Sequence, residues 1–253
     1  MHLPIQMLNK PLALLPGFAL APQRSATAEA SGLLGALAII PICGVLVHGR
    51  GDPDWGTLGY GSIRADFCAA MSDPSVAAVA FVINSPGGDV PGLFELADTI
   101  YEARGSKPIV SVLTDGAYSA AYCIAAAADM ITVPMTGGTG SIGCVVVHAD
   151  VTEMMRKMGV TTTIIRSGSR KMEENGVEPL SDVAKASLQA DVDLMADMFI
   201  ERVALFRQGK VTADQIRAFE ARTFLGQQGV EAGLADAVLS PQDAIAGLLE
   251  AIA

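Results

Sequence analysis

Histidine, tryptophan and positive charge are all scarce in this chain. Its 253 residues hold three histidines (His2, His48 and His148), a single tryptophan (Trp55), and 17 Lys and Arg against 27 Asp and Glu, a formal net charge of −10. With no Lys/Arg cluster, such a chain offers no electrostatic footprint for phosphate backbones, which sets nucleic-acid binding aside. Cys43, Cys68, Cys123 and Cys144 form no C-x-x-C pair and have no histidine at ligand spacing. No zinc site or redox motif is therefore supported, and the cysteines read as buried free thiols of a reducing cytoplasm. Neither metal nor cofactor is expected. Long apolar runs are also missing. The stretch 33–47 contains Pro41 and Gly44 and falls short of the roughly 20 residues that a spanning helix needs. Pro4, Pro11, Pro16 and Pro22 interrupt the opening of the chain, so neither a secretory leader nor a membrane anchor is expected. The expected location is the cytoplasm.

What is present is apolar substance. Hydrophobic residues make up 51% of the chain and charged residues 17%, enough for a large core. The opening 1–32 reads as a flexible extension, and 33–253 as a single domain. Apolar runs at 37–47, 80–83, 108–113, 130–133, 144–148 and 161–165 read as strands, with helical patterns at 63–71, 90–104 and 120–128 between them. Repeated strand–helix order predicts a layered α/β domain. From Ser181, the expected N-cap, a helix of about 26 residues carries Leu188, Val192, Met195, Phe199, Val203 and Phe206 as a narrow stripe. The stripe packs on its own domain or serves a subunit interface.

Three segments carry chemistry. In Asp115-Gly116-Ala117-Tyr118-Ser119-Ala120-Ala121-Tyr122, a strand turns into an Ala-rich helix, which leaves the Ser119 hydroxyl and the Ala120 N–H where negative charge is stabilised. A serine there also serves as an ordinary N-cap, and both readings stand at this point. In Asn84-Ser85-Pro86-Gly87-Gly88-Asp89, backbone N–H groups can approach a substrate, and the Gly88 and Ala120 amides could form the two-donor hole that an oxyanion needs. A plain Pro-Gly-Gly turn is the alternative. The base stays open on residues alone. His148 ends an expected strand, where a hydrogen-bonded structural histidine is common. Lys171 follows a glycine-containing turn, and a desolvated lysine can serve as a general base, although most lysines are solvated surface charges.

The ordered set Asn84-Ser85-Pro86-Gly87-Gly88, Ala117 to Tyr122, Gly138-Thr139-Gly140-Ser141-Ile142-Gly143 and Gly168-Ser169-Arg170-Lys171 resembles the signal peptide peptidase A family of serine peptidases, most closely its phage branch of head-maturation or capsid-assembly peptidases. The similarity runs along roughly 40–248, and Thr223 to Asp236 resembles the family's closing segment, with Gly229 and Gly233 at helix ends or tight turns. The resemblance implies a Ser-Lys dyad of Ser119 as nucleophile and Lys171 as general base, with Ser141 holding the lysine amine and Gly88 in the oxyanion hole. It implies the Clp protease/crotonase-like spiral of ββα units with a long C-terminal helix, assembly into homo-oligomeric rings, and in some relatives a dyad completed between subunits. It also implies a scaffold or capsid protein as substrate, in the host cytoplasm or the procapsid. The chain ends without the scaffolding region of some phage relatives, which points to a separate scaffold. Two departures stand out. Arg170 precedes the lysine, where like-charge repulsion would favour the neutral amine, and Met172 to Val177 replaces a small, polar run, which reads as a mobile gating loop. Other readings are a housekeeping cytoplasmic peptidase, a crotonase-type acyl-CoA enzyme and a catalytically silent capsid component.

Overall fold

Two stretches, AVAFVINS and IVSVLTDGA, set the centre of the fold, because parallel strands covered on both faces read as near-continuous apolar runs. The computed structural model describes residues 12–14 and 31–253. In chain order the elements are β1 (Leu12–Leu14), β2 (Gly32–Leu34), β3 (Leu37–Cys43), β4 (Val45–Val47), β5 (Thr57–Gly59), α1 (Tyr60–Ser72), β6 (Ala78–Ser85), β7 (Gly87–Asp89), α2 (Leu93–Glu102), β8 (Ile109–Ala117), α3 (Ala120–Ala126), β9 (Met130–Val133), β10 (Gly138–Gly140), α4 (Thr152–Lys157), α5 (Asp182–Phe206), α6 (Ala213–Ala218), β11 (Thr223–Leu225), α7 (Gln227–Glu231), β12 (Ala237–Val238) and α8 (Pro241–Ala251). Most of the 1–32 extension lies outside the described residues; of it, β1 and the start of β2 are described.

The larger sheet runs β11-β10-β8-β6-β3-β2, with β9 beside β8 and β12 beside β9, and the smaller runs β1-β7-β4-β5. β3, β6, β8 and β9 are parallel neighbours. Their side chains alternate between two faces. Ile40, Ile42, Phe81, Ile83 and Leu113 join the main core with residues of α1, α2 and α3, while Leu37, Ala78, Ala80, Val110 and Val112 lie with Ile245 and Leu248 of α8. β3 and β6 each leave the large sheet at a corner, Gly44 and Pro86 respectively, and continue as β4 and β7 in the small one before a helix returns. This is the expected ββα unit.

α5 begins where the capping pattern put it, with Ser181 Oγ accepting the Ala184 N–H at 3.1 Å. Its 25 residues reach about 37 Å. Phe199, Val203 and Phe206 of the stripe are buried, whereas Leu188, Val192 and Met195 are only half-buried, so the helix runs past its own core. Among the described residues no helix is long and apolar enough to cross a membrane.

Several expectations need correction. The runs 144–148 and 161–165 form no strands, apart from a bridge at Val145, because no neighbouring strand lies alongside to take up their backbone groups. Ile165 is 95% exposed. Of the cysteines only Cys123 is fully buried; Cys144 is half-buried, and Cys43 and Cys68 are exposed. Burial raises the Cys123 thiol and pushes that of Cys144 up to about 12, so both are inert. Gly233 follows α7 with φ 76, as expected for a helix end, but Gly229 lies inside α7, where an added Cβ would stand 2.8 Å from Thr139 Oγ1.

One buried ion pair ties α5 to the sheet. Arg207, 2% exposed, makes a two-pronged contact with the Asp236 carboxylate at 2.8 and 3.0 Å and donates to Gly233 O at 3.0 Å. Asp236 also accepts the Ile131 N–H of β9 at 2.7 Å and pairs with Lys210. Burial alone would raise the Asp236 carboxyl, but its bonds to Arg207 and Lys210 hold it below its ordinary 3.8. Arg207→Met should therefore cost about 3–5 kcal/mol in urea unfolding, since it strands a buried carboxylate. Because the folded-state value is depressed, this stabilisation is complete above about pH 4 and is lost as pH falls through the folded value. Urea midpoints for Asp236→Asn should accordingly be lower at pH 7 and fall less steeply in acid than those of the unaltered chain.

Candidate active site

β8 ends at Ala117, and the chain turns on itself. Tyr118 N–H donates to Ser85 O at 3.1 Å, and Ser119 enters α3 with φ 52 and ψ −120. A serine in that conformation is strained by about 1–3 kcal/mol, and no capping bond compensates, because the side chain accepts nothing from the first turn of α3. The capping reading of Ser119 therefore falls. Its N–H donates to Gly140 O at 2.9 Å and its hydroxyl reaches Gly143 O at 3.4 Å. Ala120 opens α3, so its N–H has no acceptor one turn back in the helix.

The glycine strand β7 lies alongside. Ser85 is in register with Ala117, which brings the ends of β6 and β8 together. The Ser85 hydroxyl donates to Gly44 O at 2.7 Å and accepts the Gly87 N–H at 3.2 Å, clamping both corners at once. A Cβ on Gly88 would stand 1.7 Å from Leu46 O, so no side chain fits there. Beyond it, Tyr60 donates to Asp89 O at 2.6 Å and His48 N–H to the Asp89 carboxylate at 3.1 Å.

The glycine-rich turn closes the third side. β10 meets β8 at Gly138 and Gly116, and Tyr118 packs over both glycines; a Cβ on Gly138 would stand 2.0 Å from its hydroxyl. Ser141 follows with φ 55 and donates its N–H to Arg222 O at 3.1 Å. Gly140 and Gly143, both bonded to Ser119, flank it. Ser119, Ala120, Gly88 and Ser141 are thus gathered at one end of β6 and β8.

Lys171 is bonded to none of them. It is exposed in a turn closed by its N–H to Gly168 O at 3.0 Å, and its amine makes no hydrogen bond or ion pair among the described residues. No hydrogen bond joins it to Ser119. Arg170 is turned to Glu173 at 2.7 Å and to Ser187 of α5 at 2.8 Å, so its charge is balanced rather than aimed at the lysine. His148 Nε2 lies 2.9 Å from Asn175 O, a structural bond within its own segment. Among the described residues no group of three or more His, Cys, Asp or Glu is arranged to hold a metal. Two contributors escaped the sequence reading, Ser85 and Tyr118. The available signals were a hydroxyl just before the Pro-Gly-Gly turn and an aromatic ring facing glycines at 116 and 138.

Known proteins are similar to this chain. The family model described as peptidase family S49 matches residues 102–252, more than half of the chain. The head-tail preconnector protein GP5 of Enterobacteria phage P21 is 36% identical over 222 residues, 87% of this chain and 44% of its own length. The capsid assembly protease C of Escherichia phage lambda is 33% identical over 222 residues, 87% and 50% of the two lengths. A putative signal peptide peptidase SppA of Enterococcus faecium is 31% identical over 182 residues, 70% and 52%. The chain spans about half the length of the curated relatives it matches. Among solved structures, an enoyl-CoA hydratase/isomerase family member superposes with a TM-score of 0.52 at 14% identity, over 88% of this chain and 74% of that one, a likeness of fold.

The Ser85 clamp is testable by itself. Ser85→Ala leaves the Gly44 carbonyl and the Gly87 amide unpaired and should cost about 1–3 kcal/mol in urea unfolding. Amide exchange at Gly87 should speed up in the same variant.

Proposed function

The chain belongs to peptidase family S49, and we propose that it is a serine endopeptidase that cuts scaffold or capsid proteins during phage head maturation. The observation that carries this reading is the Ser119 turn: a buried serine strained to φ 52, unused as a cap, beside two glycine-rich backbone segments. A structural serine gains nothing from that conformation, whereas a nucleophile gains a fixed direction of attack.

In the proposed reaction neutral Lys171 accepts the Ser119 proton as Oγ attacks the scissile carbonyl. The Gly88 and Ala120 amides hold the resulting oxyanion, each contributing about 2.7–4 kcal/mol in the transition state. Protonated Lys171 then gives its proton to the leaving amine, and water hydrolyses the acyl-enzyme by the same route. Ser141 holds the lysine amine in the assembled site. Since Ser119 is enclosed by its own chain while Lys171 stands on an exposed segment, the dyad is completed between neighbouring subunits of a ring. The phage setting is drawn from the two phage relatives, one of which is called a capsid assembly protease. The acyl-CoA reading accounts for a glycine-rich oxyanion hole but not for a strained serine, and a silent capsid component accounts for neither.

Casein and any scaffold protein encoded beside this chain are the test substrates. Ser119→Ala and Lys171→Ala should each reduce cleavage to background, while His148→Ala stays active. Mixing the two inactive variants should restore part of the activity, because some sites then pair an intact Ser119 with an intact Lys171 from another subunit. Persistent cleavage by Ser119→Ala would sink the peptidase reading. Failure of the mixture to recover would instead place both groups in one subunit.

A further inference from the structure

β7, the strand that carries Gly88, has two edges. β4 takes one, with Leu46 opposite Gly88, and β1 takes the other. The β1 pairing is antiparallel: Leu12 stands opposite Asp89, Ala13 opposite Gly88 and Leu14 opposite Gly87. This strand comes from the opening of the chain, about 75 residues from the strand it pairs with, and Pro11 and Pro16 bracket it in the sequence. Proline fixes its own φ and biases the residue before it towards extended backbone, so the sequence between the two is disposed to be a short strand and nothing longer.

We infer that the edge of β7 paired with β1 is a docking surface for an extended, uncharged polypeptide segment, and that residues 12–14 are its tethered resident, which a substrate strand must displace. The inference rests on the reading that Gly88 serves the oxyanion hole. A chain whose carbonyl is to be held by the Gly88 amide has to run along β7, and extended peptides join exposed strand edges through main-chain hydrogen bonds. Because β4 occupies one edge, the incoming segment must use the edge that β1 now covers. Ser119 is 1% exposed, so no peptide carbonyl reaches its hydroxyl until something moves. The register also describes the occupant: an alanine opposite Gly88, leucines on either side of it, and no charge in the strand. A tethered competitor acts at an effective concentration far above that of a free peptide, yet three residues make only a short ladder. Longer substrate strands therefore win, and short peptides are turned away.

The test reads binding, so that it does not depend on turnover. A fluorescein-labelled peptide of residues 11–17 is titrated by anisotropy into full-length Ser119→Ala and into the same chain carrying Ala13→Pro, which cannot keep the ladder. The expected result is a Kd at least about tenfold tighter with Ala13→Pro, together with faster amide exchange at Gly88 and Asp89 before peptide is added. Leu14→Pro, a second break in the same strand, should reproduce both effects. Equal Kd values in the three chains, or no binding to any of them, overturn the inference. If binding behaves as expected while the chain with an intact Ser119 cuts no protein, the peptidase reading fails and the docking surface stands.

Discussion

The approach of backbone to backbone at the corners where strands leave the large sheet is the constraint on which the site depends. A Cβ on Gly44 would stand 2.3 Å from Gly56 O, and one on Gly88 1.7 Å from Leu46 O. Main chain packs directly on main chain there, with no side chain between, so β4, β7 and their connecting turns are fixed to within the thickness of an atom. Glycine costs conformational entropy at such places, and what it returns is an approach of main chain to main chain closer than any side chain would allow. The Ser85 hydroxyl, bridging the Gly44 carbonyl and the Gly87 amide, converts two separate corners into one rigid unit.

Strain at Ser119 needs an equally firm opposite wall, and α3 supplies it. Every residue of this helix is buried. Tyr122 within it donates to Leu234 O at 2.9 Å, and Arg104 fills the carbonyl ends of two helices at once, donating to Ala126 O at the end of α3, to Ala127 O just after it and to Phe206 O at the end of α5. The Arg207–Asp236 pair then holds α5 to β9. A buried ion pair is a poor source of net stability against an apolar replacement; its service here is positional, since a shift of α3 would relax the Ser119 turn.

Strands and helices with two-sided cover were legible in the sequence because burial and periodicity leave the same mark. β9 falls on 130–133 as expected, and Ser181 caps α5. The Ser119, Gly88 and Ser141 segments stood out in the sequence because small residues cluster there, and the structure gives Ser119 and Ser141 a positive φ and Gly88 a close approach to Leu46 O. Cys144 to His148 and Thr161 to Ile165 misled for the opposite reason: apolar, β-branched composition is a preference for a pleated surface, and none adjoins them. The pairing of residues 12–14 with β7 was illegible, since a three-residue strand has no periodicity and its partner lies about 75 residues further along the sequence.

The remaining asymmetry lies between the two members of the proposed dyad. The proposed nucleophile and oxyanion donors sit on tightly packed backbone, while Lys171 stands on the segment between β10 and α5, where regular structure is sparse and Met154, Met158, Ile165 and Met172 are exposed. Val183, Leu194 and Met198 of α5 are exposed as well. Apolar patches of this kind are costly to leave in water and mark surfaces that meet a partner. If burial of that surface is what carries the lysine to a serine, assembly and activation become one event. An unassembled chain then holds an enclosed nucleophile without a base, and cleavage begins where copies of the chain have gathered.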